Sequence, residues 1–441
     1  MKYIITIVFL AALLPGVGGE LNFGLFFMSP LRIALLLLPV FYIGKNILHR
    51  NKFKYYIKSQ NIYSIIFMTF WFVYSLMSIF WCKDSSLWMH GEYYIGIGIF
   101  TMYLFDMSSL KIKDFVDILS LVQIAIIFHN VLGWFEVITH KYLFASPERL
   151  AIMRSSKQYY PVSVMLNQND FVMVLIFGTF ISLFLVVTSK TYKFKILNSI
   201  MIMSNIGLAV ATDSRTGLLG LLLGIVIAGY FLVPRKGILY IFSTIIVVIS
   251  ASVLLFPQVF MGLGEKMQNV SILNFDNPLV NSDAVRLNLI KNGLIFLKET
   301  LGVGVGTGNA EYWMATKPLY YVRGFTNLHN WWIEILTNFG IIIFILYIIF
   351  FIYLFYSLIK KYKETENQDV RMMCVLFISF MGAFSIACIS SSSNWGKEWL
   401  WVLWAFIIAF QGLTKEKESI NDKKAEYKKD NLLSYYSAVN S

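Results

Sequence analysis

Apolar segments of about twenty residues recur along this chain, with few charges inside them. Hydrophobic residues make up 57% of the 441 residues and charged residues only 14%, whereas a soluble domain carries about 25% charged residues. A helix of this length spans the hydrocarbon core of a bilayer, so the sequence predicts an all-α integral membrane protein with about twelve transmembrane helices. The predicted spans are 3–19, 25–44, 62–81, 91–107, 115–136, 165–188, 196–212, 214–233, 238–256, 329–357, 372–391 and 398–412.

The placement of Lys and Arg predicts the orientation of these spans. The formal net charge is +12, and 23 of the 37 basic residues fall in alternate loops and in the tail, although the opposite loops contain more residues. Because basic residues accumulate on the cytoplasmic side, we expect a cell-membrane protein with both termini in the cytoplasm. The intervals 137–164 and 257–328 are then outside the cell. This pattern explains the positive charge without nucleic-acid binding.

The sequence predicts one membrane domain over 1–412 and no separate soluble domain. The interval 257–328 is the segment outside the membrane large enough to build a site, and we expect it to carry short helices. The segment 413–441 is rich in Lys, Glu, Asp and Asn and is predicted to be a disordered cytoplasmic tail. The segment 1–19 also resembles a signal peptide; it has no obvious cleavage site, and we expect it to remain as the first span.

His329 lies where this polar interval enters an apolar helix, and it is one of five histidines. An imidazole has an ordinary pKa of about 6.5, so it can act as a general base near neutral pH. Asn330, Glu334 and Asn338 recur at helical spacing and predict a polar stripe on the same span. The structural alternatives are a histidine in an interfacial aromatic belt and a buried hydrogen bond from Glu334 to a neighbouring helix.

Arg215 opens an apolar segment on the predicted outer side, within the sequence T-D-S-R-T-G. A guanidinium group keeps its charge and presents a planar fork of donors that suits phosphate oxygens. The alternative is an ion pair between Asp213 and Arg215 that only ends a helix. Gly217, Gly220 and Gly224 follow and indicate close helix packing.

Arg286 lies on a predicted amphipathic helix, about 283–299, which Ser282 and Asp283 would cap. At helical spacing it shares the apolar face, so it should point toward protein or membrane. The alternative is an arginine that extends its charge to the lipid surface. The residues on its face are Leu289, Ile290, Gly293 and Leu297, and those that project away are Lys291 and Lys298.

Further polar residues are candidates for substrate binding. Asn167 and Asn169 open the span that follows the 137–164 loop, where their amides could bind sugar hydroxyls or cap the helix. Arg154 and Arg32 lie on or near the predicted outer side, as does Lys397, and these residues could attract a diphosphate or simply be solvated. The glycine-rich run 302–309 predicts a tight backbone turn, because a nucleotide-binding loop requires a strand before it and a helix after it.

Together these segments resemble the O-antigen ligase and polysaccharide polymerase family of multispan glycosyltransferases, over roughly 165–345. The matching motifs are Asn167-Gln168-Asn169 (the family's N-P-N), Ser214-Arg215-Thr216 (its S-R-T), Leu301 to Gly304 with Gly308-Asn309 (its G-V-G-x-G-N turn), and His329-Asn330 with Glu334 and Gly340 (its H-N span). The chain departs from the pattern twice. Gln168 replaces the usual proline, and Asn338 stands where an acidic residue is common.

The resemblance implies a GT-C-like fold and an inverting glycosyl transfer without a metal or other cofactor. It implies a polyprenyl-diphosphate-linked oligosaccharide donor and a glycan acceptor outside the membrane, with His329, Arg215 and Arg286 as catalytic residues. A flippase and a chain-length regulator are further candidate partners.

The expected function is polymerisation of undecaprenyl-diphosphate-linked repeat units into a capsule, exopolysaccharide or teichuronic-type chain. The alternative is ligase-type transfer of a glycan chain to another acceptor. A flippase is less favoured, because a transporter should show inverted repeats around a midplane site, whereas the distinctive polar residues of this chain collect on one side.

Overall fold

The computed structural model describes residues 2–15, 17, 21–22, 27–48, 61–108, 110–144, 150, 153, 159–165, 167–234, 282–391 and 394–413. These residues are mainly helical. Two short strands, β1 (Leu21–Asn22) and β2 (Phe27–Met28), pair antiparallel with Leu21 opposite Met28. The helices are α1 (Lys2–Leu13), α2 (Pro30–Leu48), α3 (Ile62–Met77), α4 (Ser85–Met107), α5 (Ile112–Thr139), α6 (Gln168–Thr188), α7 (Tyr192–Ala211), α8 (Arg215–Leu232), α9 (Ser282–Glu299), α10 (Ala310–Thr316), α11 (Trp331–Glu364), α12 (Gln368–Ala387) and α13 (Glu398–Gln411), with 3-10 turns at Ser78–Phe80 and Asn394–Gly396.

Helices occupy eleven of the twelve predicted span positions, and the remaining one, 238–256, lies outside the described residues. By length and composition, seven helices of the described chain could cross a membrane: α3 with its 3-10 extension, α5, α6, α7, α8, α11 and α12. The all-α prediction is therefore confirmed for these residues, apart from the small strand pair, whereas a count of twelve is not.

Short helices account for part of this difference. The apolar helices α1 and α13 have 12 and 14 residues, which at 1.5 Å per residue is about 20 Å, less than a hydrocarbon core of about 30 Å. Every residue of α13 from Trp399 to Gln411 is buried, so its apolar sequence reflects packing inside the bundle.

The bundle has two chemically different ends. At one end Lys2 pairs with Asp117, and Lys361 donates to the carbonyl of Phe410 at 3.1 Å. At the other end the N-terminus of α11 meets the C-terminus of α12, where the amide of Trp331 donates to the carbonyl of Cys388 at 3.2 Å. Within the described residues, the first end carries the basic loops around Lys111, Lys190 and Lys360, and the second carries Arg215, Arg286 and His329.

Small residues allow α8 to approach α12 closely, as the glycine spacing predicts. A Cβ atom at Gly220 would lie 2.6 Å from the carbonyl oxygen of Ala383, and one at Gly224 would lie 2.4 Å from the ring of Phe180. This contact fixes the first turn of α8, and hence Arg215, against the central helices α6 and α12.

The glycine-rich run is a tight turn that locks onto a kink in α11. Gly302, Gly304, Gly306 and Gly308 all have positive φ, between 70° and 96°. Gly340 interrupts α11 with φ 78° and ψ −178°, and a Cβ there would lie 2.3 Å from the carbonyl oxygen of Gly302. The carbonyls at the kink accept hydrogen bonds from the turn, so the turn fixes the segment of α11 that follows His329.

Candidate active site

His329 lies in the loop that enters α11 and has a left-handed backbone, with φ 46°. Its ring meets the ring of Phe325 edge to face, with 5.5 Å between centroids. Burial lowers the pKa of His329 to about 4, and the positive charges of Arg286 and Lys397 add to this effect. The imidazole is therefore neutral at pH 7, and two cations act on it.

Arg286 reaches this position through the packing of α9 against α11. The apolar face of α9 is buried, including Leu289, while Lys291 is exposed, as the helical spacing predicts. A Cβ at Gly293 would lie 2.8 Å from Oγ1 of Thr337 in α11. This close approach directs the partly buried Arg286 toward the protein and within electrostatic range of His329.

Arg215 is the exposed first residue of α8 and lies at the same end of the bundle. Ser214 caps the helix by accepting from the amide of Gly217 at 3.3 Å. Thr216 hydrogen-bonds Ser390, two residues beyond Cys388, whose carbonyl binds the start of α11. The structure thus connects Arg215 to the His329 loop through α12.

Asp213 interacts with Tyr160 beside Arg215. Burial and then Asp213 raise the pKa of Tyr160, while Arg215 opposes the shift. The hydroxyl of Tyr160 donates to Oδ2 of Asp213 at 3.2 Å. The carboxylate of the T-D-S-R-T-G sequence is therefore engaged with the loop before α6.

Asn167 and Asn169 have structural partners at the start of α6. Oδ1 of Asn167 accepts from the amides of Asn169 and Asp170 at 2.9 and 3.0 Å, which makes it the N-cap. Oδ1 of Asn169 accepts from the hydroxyl of Ser214 at 2.7 Å. The capping alternative thus describes Asn167, and Asn169 joins the starts of α6 and α8.

Asn330 also caps a helix. Its Oδ1 accepts from the amides of Trp332 and Ile333 at 3.1 and 3.3 Å, which fixes the residue next to His329. Asn338, one turn beyond Glu334, accepts from the amide of Ala310 at 3.0 Å. These two amides order the loop–helix junction around the histidine.

A cavity of about 290 Å³ lies beside this junction. It presents the carboxylates of Glu311 and Glu334 and the aromatic rings of Tyr94 and Trp395, and it includes Leu328, the neighbour of His329. Carboxylates, amides and ring faces are groups that can hold a sugar. The lining comprises Leu87, His90, Gly91, Tyr94, Gly308, Ala310, Glu311, Asn327, Leu328, Glu334, Asn338, Trp395, Gly396 and Lys397.

Arg32 contacts Tyr93, the neighbour of the lining residue Tyr94. The guanidinium of Arg32 donates to the hydroxyl of Tyr93 and lies over its ring, 4.6 Å from the centroid. Tyr93 in turn donates to Oε1 of Glu398 at 2.8 Å. Arg32 therefore links α2, α4 and α13, and it is not among the described residues that line the cavity. Arg154 lies outside the described residues.

Sequence reasoning missed several lining residues from α4, α10 and the turn before α13. His90 and Tyr94 are four residues apart and share one face of α4, which was an available signal. Glu311 and Trp395 carried no such signal. Lys397 was itself a sequence candidate, but its pair with Asp170, 227 positions away in sequence, is a contact that spacing does not reveal.

Residues 199–348 match the family model described as O-antigen ligase. The predicted family resemblance is confirmed. The matched segment runs from α7 into α11 and contains Arg215, Arg286 and His329. The chain is also 28% identical, over 390 residues, to the teichuronic acid biosynthesis protein TuaE of Bacillus subtilis (strain 168). That alignment covers 88% of this chain and 78% of the relative.

Proposed function

We propose that this protein polymerises undecaprenyl-diphosphate-linked oligosaccharide repeat units into a surface polysaccharide on the outer side of the cytoplasmic membrane. The observation that carries the proposal is the neutral imidazole of His329 next to a cavity with carboxylates and aromatic rings, within range of Arg286 and Lys397. A base, cations and a polar pocket are the groups that transfer from a lipid diphosphate requires.

In the proposed reaction the acceptor hydroxyl attacks C1 of the donor sugar. The new C1–O bond forms as the bond from C1 to the diphosphate oxygen breaks, and the leaving group departs with that electron pair. His329 takes the hydroxyl proton, a contribution of roughly 100- to 10,000-fold. Arg215 and Arg286 stabilise the growing negative charge, and loss of one such donor typically costs about 3–4 kcal/mol in barrier.

Binding of the donor should make His329 a stronger base. Arg286 and Lys397 lower the pKa of His329 in the free protein, and a diphosphate near them offsets their charge. The imidazole then becomes more basic when the donor is in place. Proton removal is in this way coupled to occupancy by the donor.

The relative supports a surface polysaccharide as the product of this chain. Its name assigns it to teichuronic acid biosynthesis, and we extend a teichuronic-type polymer to this chain as the proposed product. Glycan analysis of a deletion strain separates polymerase activity from ligase activity. Loss of a polymerase leaves single repeats on the lipid, whereas loss of a ligase leaves long chains on it.

The direct test is transfer from a synthetic lipid-linked oligosaccharide by purified Arg215→Ala, Arg286→Ala and His329→Ala at equal expression. We expect each to lose at least about 100-fold in rate. His140→Ala is a matched control, because His140 is an exposed histidine with a left-handed backbone, φ 53°, away from the cavity. Wild-type turnover by all three site variants would refute the mechanism.

A further inference from the structure

Lys397 is a buried cation that the reaction described so far uses only through its charge. Its side chain is 9% exposed, and the residue lines the cavity. Within the described part of the chain, its ammonium donates one hydrogen bond, to Oδ2 of Asp170. An ammonium group carries three N–H donors, so two remain for a ligand in the cavity.

Asp170 holds this ammonium in place and is itself fully engaged. It is 1% exposed. Its Oδ1 accepts from Ser391 at 2.7 Å, and its Oδ2 accepts from Nδ2 of Asn167 at 2.8 Å. A carboxylate held from three sides fixes the position of the ammonium, and the residue that carries the ammonium lines the cavity.

The turn that carries Lys397 is tied to the loop that carries His329. The carbonyl of Cys388 accepts both from the amide of Trp331 at 3.2 Å and from Nδ2 of Asn394 at 3.3 Å. One carbonyl therefore fixes the start of α11 against the turn before α13. This geometry places Lys397 beside the proposed base, where its positive charge acts on the imidazole.

We propose that Lys397 binds a non-bridging oxygen of the donor diphosphate, and that Asp170 positions the ammonium for this contact. The inference rests on the proposed function, since it names a further group that recognises the same donor. A buried ammonium with two donors left to fill is best satisfied by an anionic oxygen. The carboxylates of Glu311 and Glu334 in the same cavity accept hydrogen bonds and suit sugar hydroxyls instead.

The competing explanation is an ion pair that only joins α6 to the turn before α13. The two explanations predict different relative effects of removing Lys397 and of removing Asp170. If the pair is structural, removing either partner leaves one uncompensated buried charge, so Lys397→Met and Asp170→Asn should have similar effects. If Lys397 binds the donor and Asp170 only positions it, loss of the ammonium weakens diphosphate binding more than loss of the Asp170 charge does.

The experiment measures binding of farnesyl diphosphate to the full-length protein in nanodiscs, with farnesol as the control for the lipid tail. We expect Lys397→Met to weaken binding by about 10- to 100-fold, the range for a hydrogen bond to a charged group. Lys397→Arg keeps the positive charge and should lose less affinity than Lys397→Met. Asp170→Asn keeps an oxygen that can accept from the ammonium and should also lose less affinity than Lys397→Met. The double variant Lys397→Met/Asp170→Asn, which removes both charges, should fold and bind as weakly as Lys397→Met.

Lys317→Met is the matched control, because Lys317 pairs with Glu299 in an exposed ion pair and does not line the cavity. Equal losses in Lys397→Met and Asp170→Asn, wild-type affinity in Lys397→Met, or a wild-type protein that prefers farnesol would each overturn the inference. Binding is read without turnover, so this result is separate from the test of function. Absence of transfer by the wild type would defeat the proposed function, whereas an unchanged Kd in Lys397→Met would defeat only the role of Lys397.

Discussion

The pH dependence of glycosyl transfer should differ between the free protein and its donor complex. Burial, Arg286 and Lys397 lower the pKa of His329 to about 4 in the free protein. The base form is the neutral imidazole, so activity is lost as the pH falls through this pKa. At pH 5.5 about 97% of an imidazole with a pKa of about 4 is neutral, against about 9% for one with the ordinary pKa of about 6.5. The profile of kcat/KM reports the free protein and that of kcat reports the donor complex. We therefore expect the acid limb of kcat/KM near pH 4 and that of kcat at a higher pH, because the donor offsets the two cations while burial remains.

The variant Arg286→Gln tests the cause of this shift. It removes one of the two cations that oppose protonation, so the acid limb of kcat/KM should move to higher pH. The move should be partial, since burial is the largest cause. Lys291→Gln removes a cation from the exposed side of the same helix and should leave the limb in place. Titration of the substrate diphosphate is common to both variants and cancels in their comparison. An acid limb of kcat/KM near pH 6.5 in the wild type, or equal limbs in the two variants, would refute the reasoning.

Three further predictions concern the residues that order and line the site. Gly340→Ala should lower the thermal midpoint and the yield of folded protein, because a Cβ would lie 2.3 Å from the carbonyl of Gly302 and positive φ adds about 1–3 kcal/mol of strain; an unchanged midpoint by differential scanning fluorimetry would contradict the packing. Asn167→Ala should lower stability by about 1 kcal/mol through loss of a helix cap, with Asn167→Ser retaining most of the cap, and equal unfolding of all three proteins would show that the cap is unimportant. Glu334→Gln should raise KM for the acceptor more than it lowers kcat, and a selective loss of kcat in steady-state assays would point to a role in the chemical step instead.

The helix positions and several local features of the site followed from sequence because they depend on local properties. The length of the apolar segments predicted the positions of the helices. The helical spacing on α9 predicted that Arg286 lies on its buried face and that Lys291 is exposed. The glycine run was identified as a turn because its backbone needs positive φ. These features depend on neighbours within one or two helical turns.

The remaining features depend on contacts between distant parts of the chain. Sequence spacing alone could not decide whether Asn167 binds sugar or caps α6, and the hydrogen bonds with the amides of Asn169 and Asp170 favour the cap. Because α13 is buried inside the bundle, its sequence is apolar, and the sequence therefore predicted a full membrane span for a helix of only 14 residues. Lys397 and Asp170 become neighbours only when the helices pack together, so the sequence alone did not predict their ion pair.

The central claim is that His329 removes the proton from an acceptor hydroxyl while the glycan is transferred from a lipid diphosphate. The most direct measurement is the product pattern formed by the purified protein from a synthetic undecaprenyl-diphosphate-linked repeat unit. We expect a ladder spaced by one repeat from the wild type and unreacted donor from His329→Ala at equal folding. A ladder of equal yield from His329→Ala, or no product from the wild type, would contradict the account.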